Sequence, residues 1–128
     1  MTRLFLTLCG VNGFLAVALG AFGAHGLKAR MAALPDGADR LAWWQTASSY
    51  HLAHALALAV AALLAARVDG PWPAIAGYGF QAGILLFCGS LYAMTLTGVR
   101  ALGAVTPLGG VALLVAWAAV AVAAWKMT

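Results

Sequence analysis

Leu41–Ala66 reads LAWWQTASSYHLAHALALAVAALLAA, and beyond Arg67-Val-Asp-Gly-Pro-Trp-Pro73 the stretch Ala74–Leu96 reads AIAGYGFQAGILLFCGSLYAMTL. Each run is about as long as the roughly 20 mostly apolar residues a helix needs to cross a hydrocarbon core. Asp69-Gly70-Pro71 between them is a turn signal. The two runs therefore predict an antiparallel helical hairpin in a membrane. Two further runs flank it, Leu4–Ala24 and Pro107–Trp125, and the four use up most of the 128-residue chain.

Composition agrees: 65% of the residues are hydrophobic and 8% are charged, whereas about a quarter of an ordinary soluble domain is charged. The expectation is an all-α, polytopic membrane four-helix bundle. It forms a single integral domain over residues 1–128, with spans near 4–24, 41–66, 74–96 and 107–125. The net charge of +4 comes from scattered Lys and Arg. With no basic run, nucleic acid is not an expected partner. Arg3 and Ala21-Phe22-Gly23 imitate a signal peptide, but the apolar stretch exceeds the usual h-region of about 7–15 residues. Span 1 is therefore expected to be retained.

Arg3, Arg67 and Lys126 fall on the side of the termini, and Lys28, Arg30, Arg40 and Arg100 on the other. This small imbalance leans towards termini outside the cytoplasm. Trp72, Trp125 and Phe5 suggest an aromatic belt on the terminal side, and Trp43 with Trp44 suggest one on the other. Between spans 1 and 2, Leu27, Met31 and Leu34 recur at helical spacing with Lys28 and Arg30 off the stripe. That pattern predicts a short amphipathic segment suited to the membrane surface. Pro35-Asp36-Gly37 then makes a turn, and Asp36 or Asp39 suits the next helix start. Thr106-Pro107 reads as an N-cap followed by a first-turn proline.

Spans 1, 2 and 3 carry small residues at helical spacing. They are Cys9, Gly13, Ala16, Gly20 and Ala24 in span 1; Ala53, Ala57, Ala61 and Ala65 in span 2; and Gly79, Gly83 and Ser90 in span 3. Gly23 adds a further close-approach position. Small residues let helices meet where lipid removes the hydrophobic drive, so these stripes predict packing rather than a pore. Cys9 and Cys88 should sit roughly 8 and 21 Å deep at about 1.5 Å per residue. That separation is too large for a disulfide, which needs Cα atoms within about 7 Å.

No Asp, Glu, Lys or Arg lies well inside a span, which argues against a proton-driven pump. Span 2 is the most polar, with Gln45, Thr46, Ser48, Ser49, Tyr50, His51 and His54. Tyr50 and His54 are i,i+4 neighbours. By depth, Asn12, Gln81 and His54 share one layer roughly 10–16 Å from the terminal side, and Tyr50 and Ser90 a second near 22–24 Å. Asn12, Tyr50, His54, Gln81 and Ser90 are thus expected to form an interhelical polar lock, with a ligand site, proton relay or channel lining as alternatives. His25, where span 1 leaves the bilayer, either interacts with the last carbonyls of its helix or faces Gln45, Thr46 and Tyr92 across a small polar pocket. His51 and His54 point about 60° apart on one helix, so neither a haem nor a zinc site is expected, and no cofactor is implied.

Four motifs occur in order: Gly20-Ala-Phe-Gly-Ala-His25; Trp44-Gln-Thr-Ala with Tyr50 and His54-Ala-Leu-Ala; Gly89-Ser-Leu-Tyr92; and Thr106-Pro-Leu-Gly-Gly110. Together they resemble the bacterial domain-of-unknown-function 423 membrane family, which is related to eukaryotic transmembrane protein 256. The resemblance covers nearly the whole chain. It implies a small multi-span protein of the bacterial inner membrane, and it supplies no reaction, substrate or cofactor.

No nucleophile–base pair, carboxylate pair or phosphate loop points to an enzyme. The expected role is that of a non-enzymatic bundle acting on membrane lipid, on a second copy of itself or on another membrane protein. The rival is a site for a lipid, a quinone or a small polar solute near His25, Tyr50 and His54.

Overall fold

The computed structural model describes residues 1–127. Four helices are long and apolar enough to span a membrane: α1 (Thr2–Met31), α2 (Gly37–Ala65), α3 (Trp72–Thr97) and α4 (Arg100–Trp125). There is no strand among the described residues. The hairpin of α2 and α3 is the most enclosed part, while α1 and α4 flank it and stay largely open. Contacts at the two ends fix the arrangement. Phe5 in α1 packs on Gly77 and Tyr78 of α3, Leu64 and Val68 cluster with Ala123, and Lys126 lies over the Trp72 ring. One end therefore gathers both chain ends and the α2–α3 turn. The other gathers the α1–α2 and α3–α4 connections.

The core is built from small side chains. Ala57 and Ala61 of α2, Ala76 of α3, and Ala116 and Ala119 of α4 are buried around Phe5, Phe80 and Leu58. Many other large apolar side chains point outward: Phe14 is 75% exposed and Leu114 71%. In water this would be inverted; in a bilayer, lipid solvates them at no cost. Gly79 meets Ala116, and Gly83 meets Leu113 and the Gly109 carbonyl, so these two glycines seat α4 on α3. Gly13 and Gly20 do otherwise. A methyl group at either would meet nothing, which corrects their expected place in the interior packing. The buried stripe of α1 runs through Phe5, Asn12, Ala16, Gly23, Leu27 and Met31.

That stripe also corrects the expected surface segment. Leu27 and Met31 are buried against Trp44 as a continuation of α1, and only Leu34 is exposed. A stripe of i,i+4 steps on a 3.6-residue helix drifts by about 40° per step. The π-helical turn at Gly23–Leu27 adds a residue to the turn and brings the stripe back onto α2. A second π turn, Ile84–Cys88, interrupts α3.

The connections are short. Gly37 lies directly on the Met31 carbonyl, where any side chain would collide, so α1 and α2 meet at a sharp corner. Asp36 caps nothing with its side chain; it accepts from Arg40 Nε at 3.0 Å. Gly98 ends α3 with φ +72°, a left-handed conformation that favours glycine. Helical structure resumes earlier than the Thr106-Pro107 signal suggests, in a 3₁₀ turn at Arg100–Ala104. Two aromatic assignments also change. Phe5 and Trp44 are core residues, while Trp125 is 91% exposed. Cys9 and Cys88 are free thiols.

Candidate functional site

Three helices are joined by one chain of side-chain hydrogen bonds. Asn12 Nδ2 donates to the Leu8 carbonyl at 2.8 Å and to Gln81 Oε1 at 2.9 Å. A carbonyl only accepts, so this pair orients the amide and leaves Asn12 Oδ1 as an acceptor. His51 Nε2 lies 3.1 Å from that oxygen and donates to it. In the uncharged ring the other nitrogen must accept, so the Tyr92 hydroxyl, 3.1 Å from His51 Nδ1, donates to it. The order Tyr92→His51→Asn12→Gln81 therefore runs from α3 through α2 and α1 and back to α3.

Trp44 supports this chain. Its indole lies against Gly23, where a Cβ would overlap it, and its Nε1–H donates to the Leu19 carbonyl at 2.8 Å. Its ring meets that of Tyr92 edge-on at 4.6 Å. Gly23, Trp44 and Tyr92, drawn from three of the four motifs, thus form one contact. Ser90 and Thr106 make another across α3 and α4, with 2.6 Å between hydroxyls. Thr106 spends its hydroxyl there rather than on capping its own helix.

His54 belongs to a different face. Its Nδ1–H donates to the Tyr50 carbonyl at 2.7 Å, and its Nε2 accepts from Trp117 Nε1–H of α4 at 3.2 Å. His51 and His54 are three residues apart, so about 60° of azimuth separates them; one faces α1 and the other α4. Depth alone paired Asn12 and Gln81 with His54, whereas the structure gives them His51. Tyr50 is not interior. Its side chain is 44% exposed, and its ring rests on Phe87 at 4.5 Å.

Tyr50, His54, Phe87, Gly110 and Trp117 line a groove of about 440 Å³ between α2, α3 and α4. The pocket expected around His25 does not form. His25, Gln45 and Thr46 are all exposed, and Tyr92 is engaged with His51 and Trp44. Among the described residues no group of three His, Cys, Asp or Glu could hold a metal.

At the loop end, Arg40 couples α2 to α3. Its Nη1 donates to the Thr95 carbonyl at 3.4 Å, and the Thr95 hydroxyl donates to the Arg40 carbonyl at 3.0 Å. The same guanidinium holds Asp36 below the usual carboxylate range, chiefly through its hydrogen bond. Arg100 lies over the Trp43 ring at 5.0 Å and 3.7 Å from Asp39.

Sequence reasoning missed His51 as the hub. The signal was present: Trp44, Ala47, His51, Ala55, Leu58 and Ala62 recur at steps of three or four, and all are buried. Trp117 and Thr106 carried no comparable signal, since their partners lie on other helices.

Comparison with known proteins places this arrangement. The model described as "Protein of unknown function (DUF423)" matches residues 19–110, which contain the four motifs. The chain is 46% identical over 125 residues to the UPF0382 membrane protein YwdK of Bacillus subtilis, covering 97% of this chain and 98% of that one. It is 37% identical over 126 residues to the UPF0382 inner membrane protein YgdD of Escherichia coli K12, covering 98% and 92%. No solved structure matches. The helices and these relatives make it a multi-pass integral protein of the bacterial inner membrane, and the chain belongs to the DUF423 family.

Proposed function

We propose that this is a non-enzymatic membrane protein that acts through its outward surface, by association with a second copy or another membrane protein within the lipid. The observation that carries this reading is the use of the interior polar groups. Both ring nitrogens of His51 and of His54 are engaged, and no buried side-chain nitrogen or oxygen among the described residues lacks a partner. These groups are engaged in bonds that hold the bundle together, and none is left as a free base or nucleophile for a substrate. What remains available is the outside. There α1 presents Phe14 and Val17 to lipid and leaves Gly10, Gly13 and Gly20 open to close approach.

Photo-crosslinking in native membranes tests this, with the probe placed at Phe14 and, as a comparison, at Leu114. A discrete cross-link from position 14 to a second copy or to one membrane protein supports the reading. Cross-links to bulk lipid alone at both positions contradict it.

A second reading has its own observation. Tyr50 and His54 line the groove on α4, which favours binding of a small membrane-soluble molecule there.

A further inference from the structure

We infer that the groove between α2, α3 and α4 binds a membrane quinone, a flat carbonyl-bearing ring on an apolar tail. This rests on the second reading above, that the groove takes a small molecule. Its volume of about 440 Å³ falls within the usual range of roughly 300–1,000 Å³ for ligand pockets. What it would hold follows from four features of its lining.

The first is charge. No Lys, Arg, Asp or Glu borders the groove, so nothing there would neutralise a phosphate or a carboxylate. The ligand is uncharged.

The second is the Tyr50 hydroxyl, which has no partner among the described residues. It lies nine residues inside the apolar run that starts at Leu41, about 14 Å along the helix. A hydroxyl left unpaired within the span is costly. Tyr78, also exposed, lies only four residues inside the run that starts at Ala74, about 6 Å along its helix, so its hydroxyl can reach the interface. Tyr50 is held in place by its ring contacts, 4.5 Å to Phe87 and 5.7 Å to His54. His54 cannot take its proton, because both imidazole nitrogens are already used. A ligand in the groove would supply the acceptor. A carbonyl supplies one; a saturated acyl chain does not.

The third is shape. Tyr50, Phe87, Trp117 and the His54 imidazole surround the space with rings, and rings stack favourably on a flat partner. The fourth is access. Val111 and Leu114 at the rim are 58% and 71% exposed. Entry is therefore sideways from the bilayer, with room for an apolar tail along α4. The inference concerns binding only.

The test uses the full-length protein in phosphatidylcholine nanodiscs, titrated with a ubiquinone bearing a single isoprene unit, with quenching of tryptophan emission as the readout. The parallel ligand is an alkylbenzene of matched size, which lacks carbonyls. Saturable quinone binding that is weakened roughly tenfold by Tyr50→Phe, the order expected for one lost hydrogen bond, supports the inference. Gly110→Leu should abolish it. A Cβ at Gly110 meets only Phe87, at 3.9 Å, so there is room for a side chain to start into the groove; Val111→Phe is a second block from the rim. If the alkylbenzene competes as well as the quinone binds and Tyr50→Phe changes nothing, the quinone assignment is overturned while the groove remains a site. If no saturable binding occurs, or if both blocking variants bind as the parent does, the small-molecule reading falls with it.

Discussion

His51 and Asn12 are joined by a 3.1 Å hydrogen bond from the imidazole of α2 to the side-chain carbonyl of α1. Asn12 passes the link on to Gln81 of α3. In hydrocarbon neither side chain can turn to water, so each holds the other in the interior. Replacing both with apolar residues should therefore cost less than the two single changes added together. Interhelical bonds in membranes average about 0.6 kcal/mol and reach about 1.7. A double-mutant cycle with Asn12→Ala and His51→Ala, read by unfolding in detergent, should return a coupling of that order. A coupling of zero would mean that the contact is incidental.

Gly23 and Gly20 separate two roles that the sequence merges. A side chain at Gly23 meets the Trp44 indole, whereas one at Gly20 meets open space. Gly23→Leu should lower stability by about 1–3 kcal/mol, the usual cost of overpacking. Gly20→Leu should leave it nearly unchanged. Thermal melting of the two purified variants decides between this and a shared packing face.

Trp44 tests the same contact from its other side. Its indole N–H serves the Leu19 carbonyl, and its body is 2% exposed. Trp44→Phe keeps a ring but loses the donor. A loss of about 0.5–1.5 kcal/mol is expected for the hydrogen bond, with more from the smaller ring. A Trp44→Phe protein as stable as the parent would place this residue in a lipid-facing belt instead.

Much of the fold was legible because lipid-spanning helices obey a length rule. The four apolar runs, the Asp69-Gly70-Pro71 turn and the free cysteines all follow from local sequence and depth. Azimuth did not. Depth placed Asn12 and Gln81 level with each other, and they bond, but it could not say whether His51 or His54 faced them. The π turn at Gly23–Leu27 rotates every later contact of α1 and has no local signature, so Leu27 and Met31 read as a surface stripe. A polar group in a span usually faces inward, yet the Tyr50 ring lies in an open groove.

Asp36 gives a pH dependence of known sign. Arg40 lowers its folded-state pKa below the usual 3.8. The pair therefore contributes its stability above the usual carboxylate range and loses it as pH falls through the depressed value. The Asp36 contribution to melting temperature should be constant from neutral pH down to about that range and fall below it, with Asp36→Asn removing that part of the fall. An unchanged acid limb in Asp36→Asn would remove Asp36 from the account.

The interior polar chain is tested most directly by ¹⁵N NMR of the imidazoles in lipid nanodiscs at neutral pH, with His51→Gln and His54→Gln used for assignment. The hydrogen-bond directions predict opposite tautomers. His51 should carry its proton on Nε2, donating to Asn12, with Nδ1 accepting from Tyr92. His54 should carry its proton on Nδ1, donating to the Tyr50 carbonyl, with Nε2 accepting from Trp117. Two distinct neutral tautomers in that order are the expected result. The same tautomer at both positions, or a doubly protonated ring at either, would contradict an interior whose polar groups are spent on one another.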